Sequence, residues 1–313
     1  MTTLGFDTSN YTTSVAFFGG ESGVNAGKLL DVPEGSLGLR QSDALFQHVK
    51  RLPEIIKSLT EQGMPLEIAA VGASTKPRQV EGSYMPCFLA GASQGEVLAQ
   101  SLHVPFYPVS HQQGHIAAAA WSAGRMDLLD KPHLAWHLSG GTTELLYVEP
   151  EGVSVKAAEI GGTTDISAGQ LIDRTGKRLG LQFPAGKAVD ALSQESRKDD
   201  FFKVRVEGQS FSLSGMENKI NQMAEQNLPS ADICRFVLLS IICAVEKATK
   251  SALTQHPGLP VLYAGGVASN SLLRQRAADS HNALFCQPQY AADNAMGVAI
   301  LAHRSLEREK THG

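Results

Sequence analysis

The chain has 313 residues, 42% of them apolar and 19% charged, with a net charge of −4. This is an ordinary soluble composition, long enough for one large two-lobed domain or two ordinary ones. The slight negative balance excludes a global basic field for nucleic acid, so any RNA contact requires a local patch.

The chain opens on Leu4-Gly5-Phe6, a strand-like segment, and is read as carrying no signal peptide. Residues 4 to 18, LGFDTSNYTTSVAFF, read as a strand, a loop of small polar residues and a second strand. Residues 40 to 52, RQSDALFQHVKRL, carry Arg40, His48, Lys50 and Arg51, and TKPRQ adds Lys76 and Arg78. These cations suit either a basic rim for RNA or a solvated face.

The segment HQQGH places His111 and His115 four residues apart, which on a helix stacks both imidazoles on one face. Such a pair can grip a metal. The position that carries the general base in an HExxH peptidase is Gln112, which takes no proton at neutral pH. Spacing alone leaves a second reading open, two satisfied histidines at a helix start.

Residues 134 to 149, LAWHLSGGTTELLYVE, repeat the strand, small-residue loop and strand of the N-terminus. Turns of this kind can expose backbone N–H groups to phosphate oxygens. From Val261, VLYAGGVASNSLLRQRAA reads as a buried strand, a double glycine and a helix start, a pattern suited to close approach of a nucleotide. Three such loops, each directly after a strand, predict a duplicated α/β fold with a nucleotide between two lobes. Lobe one is expected over 1–108 and lobe two over 109–313, with a terminal helix from about Ala292 packing back on lobe one. On its own, AADNAMGVAILAH reads as an N-cap Asp293 opening that helix.

The apolar run Ile233 to Val245 is interrupted by Arg235 and is too short to span a bilayer. Cys87, Cys234, Cys243 and Cys286 form no CxxC and are read as reduced thiols of a cytoplasmic protein.

Taken in order, these motifs resemble the tRNA threonylcarbamoyladenosine synthase family, the TsaD type, also known as O-sialoglycoprotein endopeptidase-like. HQQGH resembles its HxEGH, HLSGGTTEL its VSGGHTxL, and LIDRTGKRLGLQFPAGKAVDAL its FDKxAxxLGLxYPGG. FSLSGMENKI resembles FSFSGLKTA, AGGVASNSLLR resembles AGGVAANxxLR, and AADNAM resembles TDNAAM. The resemblance implies the duplicated actin-like ATPase (ribonuclease H-like) fold, two lobes with a nucleotide cleft between.

It also implies roles. His111, His115 and Asp293 fall on metal-ligating positions, a set that leaves coordination positions open on a divalent Fe or Zn ion. His137, Leu138, Ser139, Gly140 and Gly141 form the phosphate loop. Asp173, Gly186, Asp190, Gly265, Gly266 and Asn270 fall on nucleoside-contacting positions, for ATP, ADP, AMP or threonylcarbamoyl-adenylate. The family's first loop, ETSCDET, is DTSNYTT here, so Ser9, Tyr11 and Thr12 are the catalytic candidates and Tyr11 and Thr12 stand where an acidic pair is usual. The Glu of HxEGH is Gln113.

The function implied is threonylcarbamoyl transfer to the adenosine beside the tRNA anticodon. tRNA, a paralogous actin-like subunit and a small ATPase are the implied partners, and no membrane is involved. A paralogue with another acceptor, or a non-catalytic partner subunit, is the alternative. A small-molecule kinase would use magnesium without a histidine pair, and a metallopeptidase would need a glutamate after His111.

Overall fold

The computed structural model describes residues 1–9, 11–32, 39–63 and 67–312. By its internal contacts the chain divides into two compact units. The first comprises Met1–Lys131, Glu149–Ala157 and Asp293–Gly313; the second comprises Pro132–Val148 and Ala158–Ala292. The first unit therefore runs beyond residue 108, because the helix carrying the histidine pair packs on the terminal helix.

In the first unit, β1 (Thr2–Asp7), β2 (Thr12–Phe18), β3 (Gly23–Leu29), β4 (Ile68–Lys76) and β5 (Phe106–Ser110) form one sheet in the order β3-β2-β1-β4-β5. Strands β1 and β2 are antiparallel, joined by the expected small-residue loop, of which Asn10 lies outside the described residues. β1, β4 and β5 run parallel. Parallel strands need crossovers, here α1 (Gln41–Glu61) and α2 (Phe88–Leu102). Leu4, Phe6, Val15, Leu52 and Leu59 form the core beneath them.

Helix α3 (His111–Ser122) leaves β5 directly. Its start is written in the sequence as a capping box: Ser110 Oγ accepts from the Gln113 amide, and the Gln113 side chain accepts from the Ser110 amide at 2.9 Å. The alanine run 117–120 then favours helix, and Gly124, at φ 70, ends it.

The second unit repeats the strand order. β6 (His133–Leu138), β7 (Thr143–Glu151), β8 (Ser154–Thr163), β11 (Val261–Ala264) and β12 (Ala283–Phe285) run β12-β11-β6-β7-β8, extended at the β8 edge by β10 (Ser210–Phe211) and β9 (Val206–Glu207). Read from its third strand, each sheet goes third, second, first, fourth, fifth, which is a duplication visible in topology. The helices of this unit are α4 (Ala168–Arg178), α5 (Gly186–Ser193), α6 (Ser214–Glu225), α7 (Ser230–Gln255) and α8 (Ser271–Ser280). Helix α7 is apolar on nearly all faces because it forms the centre of the core with Trp136, Leu134 and Tyr263. Arg235, which interrupts its apolar run, turns outward to Asp199 and the Lys198 carbonyl.

The terminal helix α9 (Met296–His312) belongs to the first unit and lies across β1 and β4. It fits because those strands present Gly5 and Gly72. A Cβ on Gly5 would come within 2.6 Å of the Ala299 amide nitrogen, and one on Gly72 within 3.0 Å of the Ala302 methyl. Val298, Ile300 and Leu301 are fully buried there, each contributing about 1.5–3 kcal/mol. All four cysteines are buried, and among the described residues none is in a disulfide. Among the described residues no helix is long and apolar enough to cross a membrane.

Candidate metal centre

The donor set is assembled by a close crossing of α3 and α9. Gly114, inside HQQGH, faces Gly297 in the first turn of α9, and a Cβ on Gly297 would overlap the Gly114 carbonyl oxygen. That approach brings Asp293, just before α9, against the histidine face of α3. His111 Nε2 and His115 Nε2 lie 2.9 Å apart, and Asp293 Oδ1 is 3.2 Å from His115 Nε2 and 3.6 Å from His111 Nε2.

These separations match a ligand triangle. Donors about 2.0–2.1 Å from one ion are about 2.9 Å apart when octahedral and about 3.3 Å apart when tetrahedral. Two ring nitrogens facing each other also need something shared between them, a proton or an ion. The residues present therefore fit a divalent metal with open coordination positions.

Behind His111 stands Asp7, at the end of β1 and fully buried, with Oδ1 3.0 Å from His111 Nδ1. Ser9 Oγ donates to Asp7 Oδ2 at 2.6 Å, and Ser74 Oγ donates to Oδ1. Burial favours the neutral form of Asp7, but the facing His111 and the Ser74 hydroxyl outweigh it and hold the carboxyl below its ordinary range. For His111, burial disfavours charge, yet Asp7 and Asp293 on either side push its pKa up to about 10. Asp293 is half-buried; desolvation favours its neutral form, but the two histidines hold the carboxyl well below the usual carboxylate range.

From the sequence Asp7 is the one candidate base of the first loop for a small-molecule kinase, and nothing there places it at the metal centre; the signal is an acid closing an otherwise buried strand. Gln113, at the glutamate position of the family motif, does structural work. Beyond the capping box, its Nε2 donates to the Val155 carbonyl at 2.9 Å, which a carboxylate cannot do. The Asp293 carboxylate faces the histidines, while the neighbouring Asn294 Oδ1 accepts from the Met296 amide at 3.1 Å at the start of α9.

Of the three catalytic candidates, Ser9 enters the centre through Asp7. Tyr11, in the β1–β2 connection, and Thr12, the first residue of β2, are half-buried, and among the described residues neither makes a side-chain hydrogen bond. Of the basic-rim candidates two are buried, and Lys76 and Arg78 are half-buried. His48 is buried on Thr13 at 2.8 Å, and Arg51 is buried against Asp31 at 2.6 Å and the Leu29 carbonyl, while Arg40 and Lys50 stay exposed.

The nucleotide candidates all fall in the second unit. His137 and Leu138 belong to β6, paired with Glu144 and Thr143, and Leu138 is a core side chain rather than part of the loop. The loop proper is Ser139–Thr142. The Ser139 amide donates to the Thr142 carbonyl, and Ser139 Oγ accepts from the Gly141 and Thr142 amides at 3.3 and 3.0 Å. Two of the amides expected to face phosphate, those of Ser139 and Gly141, are thus also used inside the turn. Ser167 Oγ holds the Gly140 carbonyl at 2.7 Å, and Gly169 must lack a side chain because a Cβ there would lie 2.5 Å from Gly140 Cα.

Asp173 accepts from the Ala185 amide at 2.8 Å and so fixes the entry to α5. Asp190 accepts from Asn270 Nδ2 and Ser271 Oγ, both at 2.8 Å, while Asn270 Oδ1 caps α8. Sequence-distant candidates are brought together, and both acids are tied into the unit, not loose helix charges. A Cβ at Gly140, Gly141, Gly186 or Gly266 would meet nothing within 4 Å, whereas Gly265, at φ 93, is required by its contact with Leu138.

The profile of the TsaD family, tRNA N6-adenosine threonylcarbamoyltransferase, matches residues 38–300. A tRNA N6-adenosine threonylcarbamoyltransferase of Thermus thermophilus is 31% identical over 98% of this chain and 94% of its own length. Among solved structures, full-length HypF in its phosphate- and nucleotide-bound form superposes with a TM-score of 0.61 at 12% identity, over 98% of this chain and 56% of HypF. The ROK hexokinase of Thermus thermophilus gives 0.54 at 13% identity, over 98% of this chain and all of the hexokinase. These likenesses and the repeated strand order define the fold as the duplicated actin-like ATPase fold. The chain belongs to the TsaD family, the tRNA N6-adenosine threonylcarbamoyltransferases.

Proposed function

We propose that this protein is a metal-dependent threonylcarbamoyl transferase that acts on the adenosine beside the tRNA anticodon. The observation carrying the reading is the convergence of His111, His115 and Asp293 in a member of this family, with Gln113 engaged in capping and so no base beside the histidines aimed at water.

His111, His115 and Asp293 would hold one divalent ion, iron or zinc. When bound, such an ion supplies Lewis-acid polarisation of the acyl group and positive charge for a phosphate. In the transfer, the adenosine N6 amine attacks the carbamoyl carbonyl of threonylcarbamoyl-adenylate. A C–N bond forms, the bond from carbon to the phosphate oxygen breaks, AMP departs and the amine loses one proton. Ser139–Gly141 and Gly265–Gly266 are assigned to the phosphates, and Asp173, Gly186, Asp190 and Asn270 to the nucleoside, where carboxylates suit ribose hydroxyls. Ser9, Tyr11 and Thr12 are assigned to the reacting end. A paralogous actin-like subunit, a small ATPase and a separate adenylate-forming enzyme complete the system, in the cytoplasm. Exposed Arg40 and Lys50, with half-buried Lys76 and Arg78, are the cations left for a basic rim toward tRNA.

Tyr11 and Thr12, standing where relatives are expected to carry acids, favour one second reading: the same metal and nucleotide chemistry directed to another acceptor. The test is transfer to unmodified tRNA. The protein is incubated with threonylcarbamoyl-adenylate and the partner subunits, and the digested RNA is read by mass spectrometry. Threonylcarbamoyladenosine above the partner-only control supports the proposal. None, with metal and nucleotide still bound, overturns it in favour of the second reading.

A further inference from the structure

We propose that Asp7 is a positioning residue of the metal centre, fixing His111 in the tautomer that offers its Nε2 lone pair to the ion. The inference rests on the reading of His111, His115 and Asp293 as a metal site.

The argument begins with the sheet. Parallel pairing of β1 with β4 sets Phe6 opposite Ala73, so the next residues, Asp7 and Ser74, adjoin at the strand ends. Ser74 Oγ donates to Asp7 Oδ1, and Ser9 Oγ donates to Oδ2 at 2.6 Å, so each carboxylate oxygen is held by a hydroxyl. Asp7 has no exposed surface and its orientation is fixed. An ionised carboxylate only accepts, so the His111 Nδ1 that lies 3.0 Å from Oδ1 must carry its hydrogen. In the neutral ring that leaves Nε2 without one, facing His115 and Asp293.

Charge points the same way. Asp7, fully buried, and Asp293, half-buried, bring two negative charges together, and a divalent cation with two neutral imidazoles balances both. Uncompensated charge is costly there, so the Asp7 carboxylate adds to the retention of a doubly charged ion.

The test uses the full chain, with Asp7→Asn as the main variant and Ser74→Ala as the second. Zn²⁺ affinity is measured by chelator competition and coordination by the visible spectrum of the Co²⁺-loaded protein. Asp7→Asn is expected to weaken Zn²⁺ binding by about 10–100-fold and to alter the Co²⁺ bands, while far-ultraviolet circular dichroism stays that of the wild type. Ser74→Ala, which loosens the carboxylate without removing it, is expected to lose a smaller factor in the same direction. If Asp7→Asn does not fold, Ser74→Ala carries the test alone. Wild-type affinity and spectrum in whichever variants fold would overturn the role of Asp7. Failure of the wild-type chain to bind Zn²⁺ or Co²⁺ would overturn the metal reading itself, and this inference with it.

Discussion

Gly297 and Gly114 touch backbone to backbone where α9 crosses α3, and no side chain fits between them. This contact, four residues beyond Asp293 and one before His115, sets the distance between the carboxylate and the imidazoles. Gly297→Ala must push the helices apart, which is expected to cost about 3 kcal/mol or more. Thermal unfolding reads the loss, and metal retention should fall with it. A Gly297→Ala protein as stable as the wild type would show that the crossing is looser than described.

Gln113→Glu restores the family's motif residue but removes the donor to the Val155 carbonyl. A buried carboxylate would then face a carbonyl oxygen, and the expected penalty is roughly 1–3 kcal/mol. Chemical denaturation measures it. The capping box survives the change, since Glu also accepts from the Ser110 amide. A more stable Gln113→Glu protein would contradict the assignment of Gln113 to structure.

Metal uptake should depend on pH through His111. With a pKa pushed up to about 10, this histidine is protonated at neutral pH in the metal-free protein, and an ion must displace that proton. Affinity should rise about tenfold per pH unit from pH 7 to about 9 and level off near 10. The bound proton stabilises the metal-free fold fully below the ordinary imidazole value and ceases to do so as pH rises through 10. Competition titrations at several pH values check this, and a flat affinity from pH 7 to 9 would contradict it.

Much of this was legible in the sequence because local rules carry it. The two strand–loop–strand segments, the strand before Gly265 and the helix after Asn270 follow from periodicity and turn chemistry, and the motifs between them carry the family. The histidine face of α3 follows from four-residue spacing. What was not legible depends on contacts between distant segments. Asp7 reaches His111 only through the pairing of β1 with β4 and the path of β5 into α3. Asp293 is legible as a ligand only through the family motif; by local rules alone it reads as a helix cap, because its histidine partner His115 lies 178 residues earlier in the chain. Arg51 and His48 read as surface cations because nothing nearby in sequence shows that the Leu29 carbonyl and Thr13 hold them.

Metal content tests the central claim most directly. Protein purified without chelator, wild type and His111→Ala/His115→Ala side by side, is analysed for iron and zinc by mass spectrometry after desalting. The account predicts close to one divalent ion per chain in the wild type and none retained in the double variant. Stoichiometric metal in the double variant would place the ion elsewhere and contradict it.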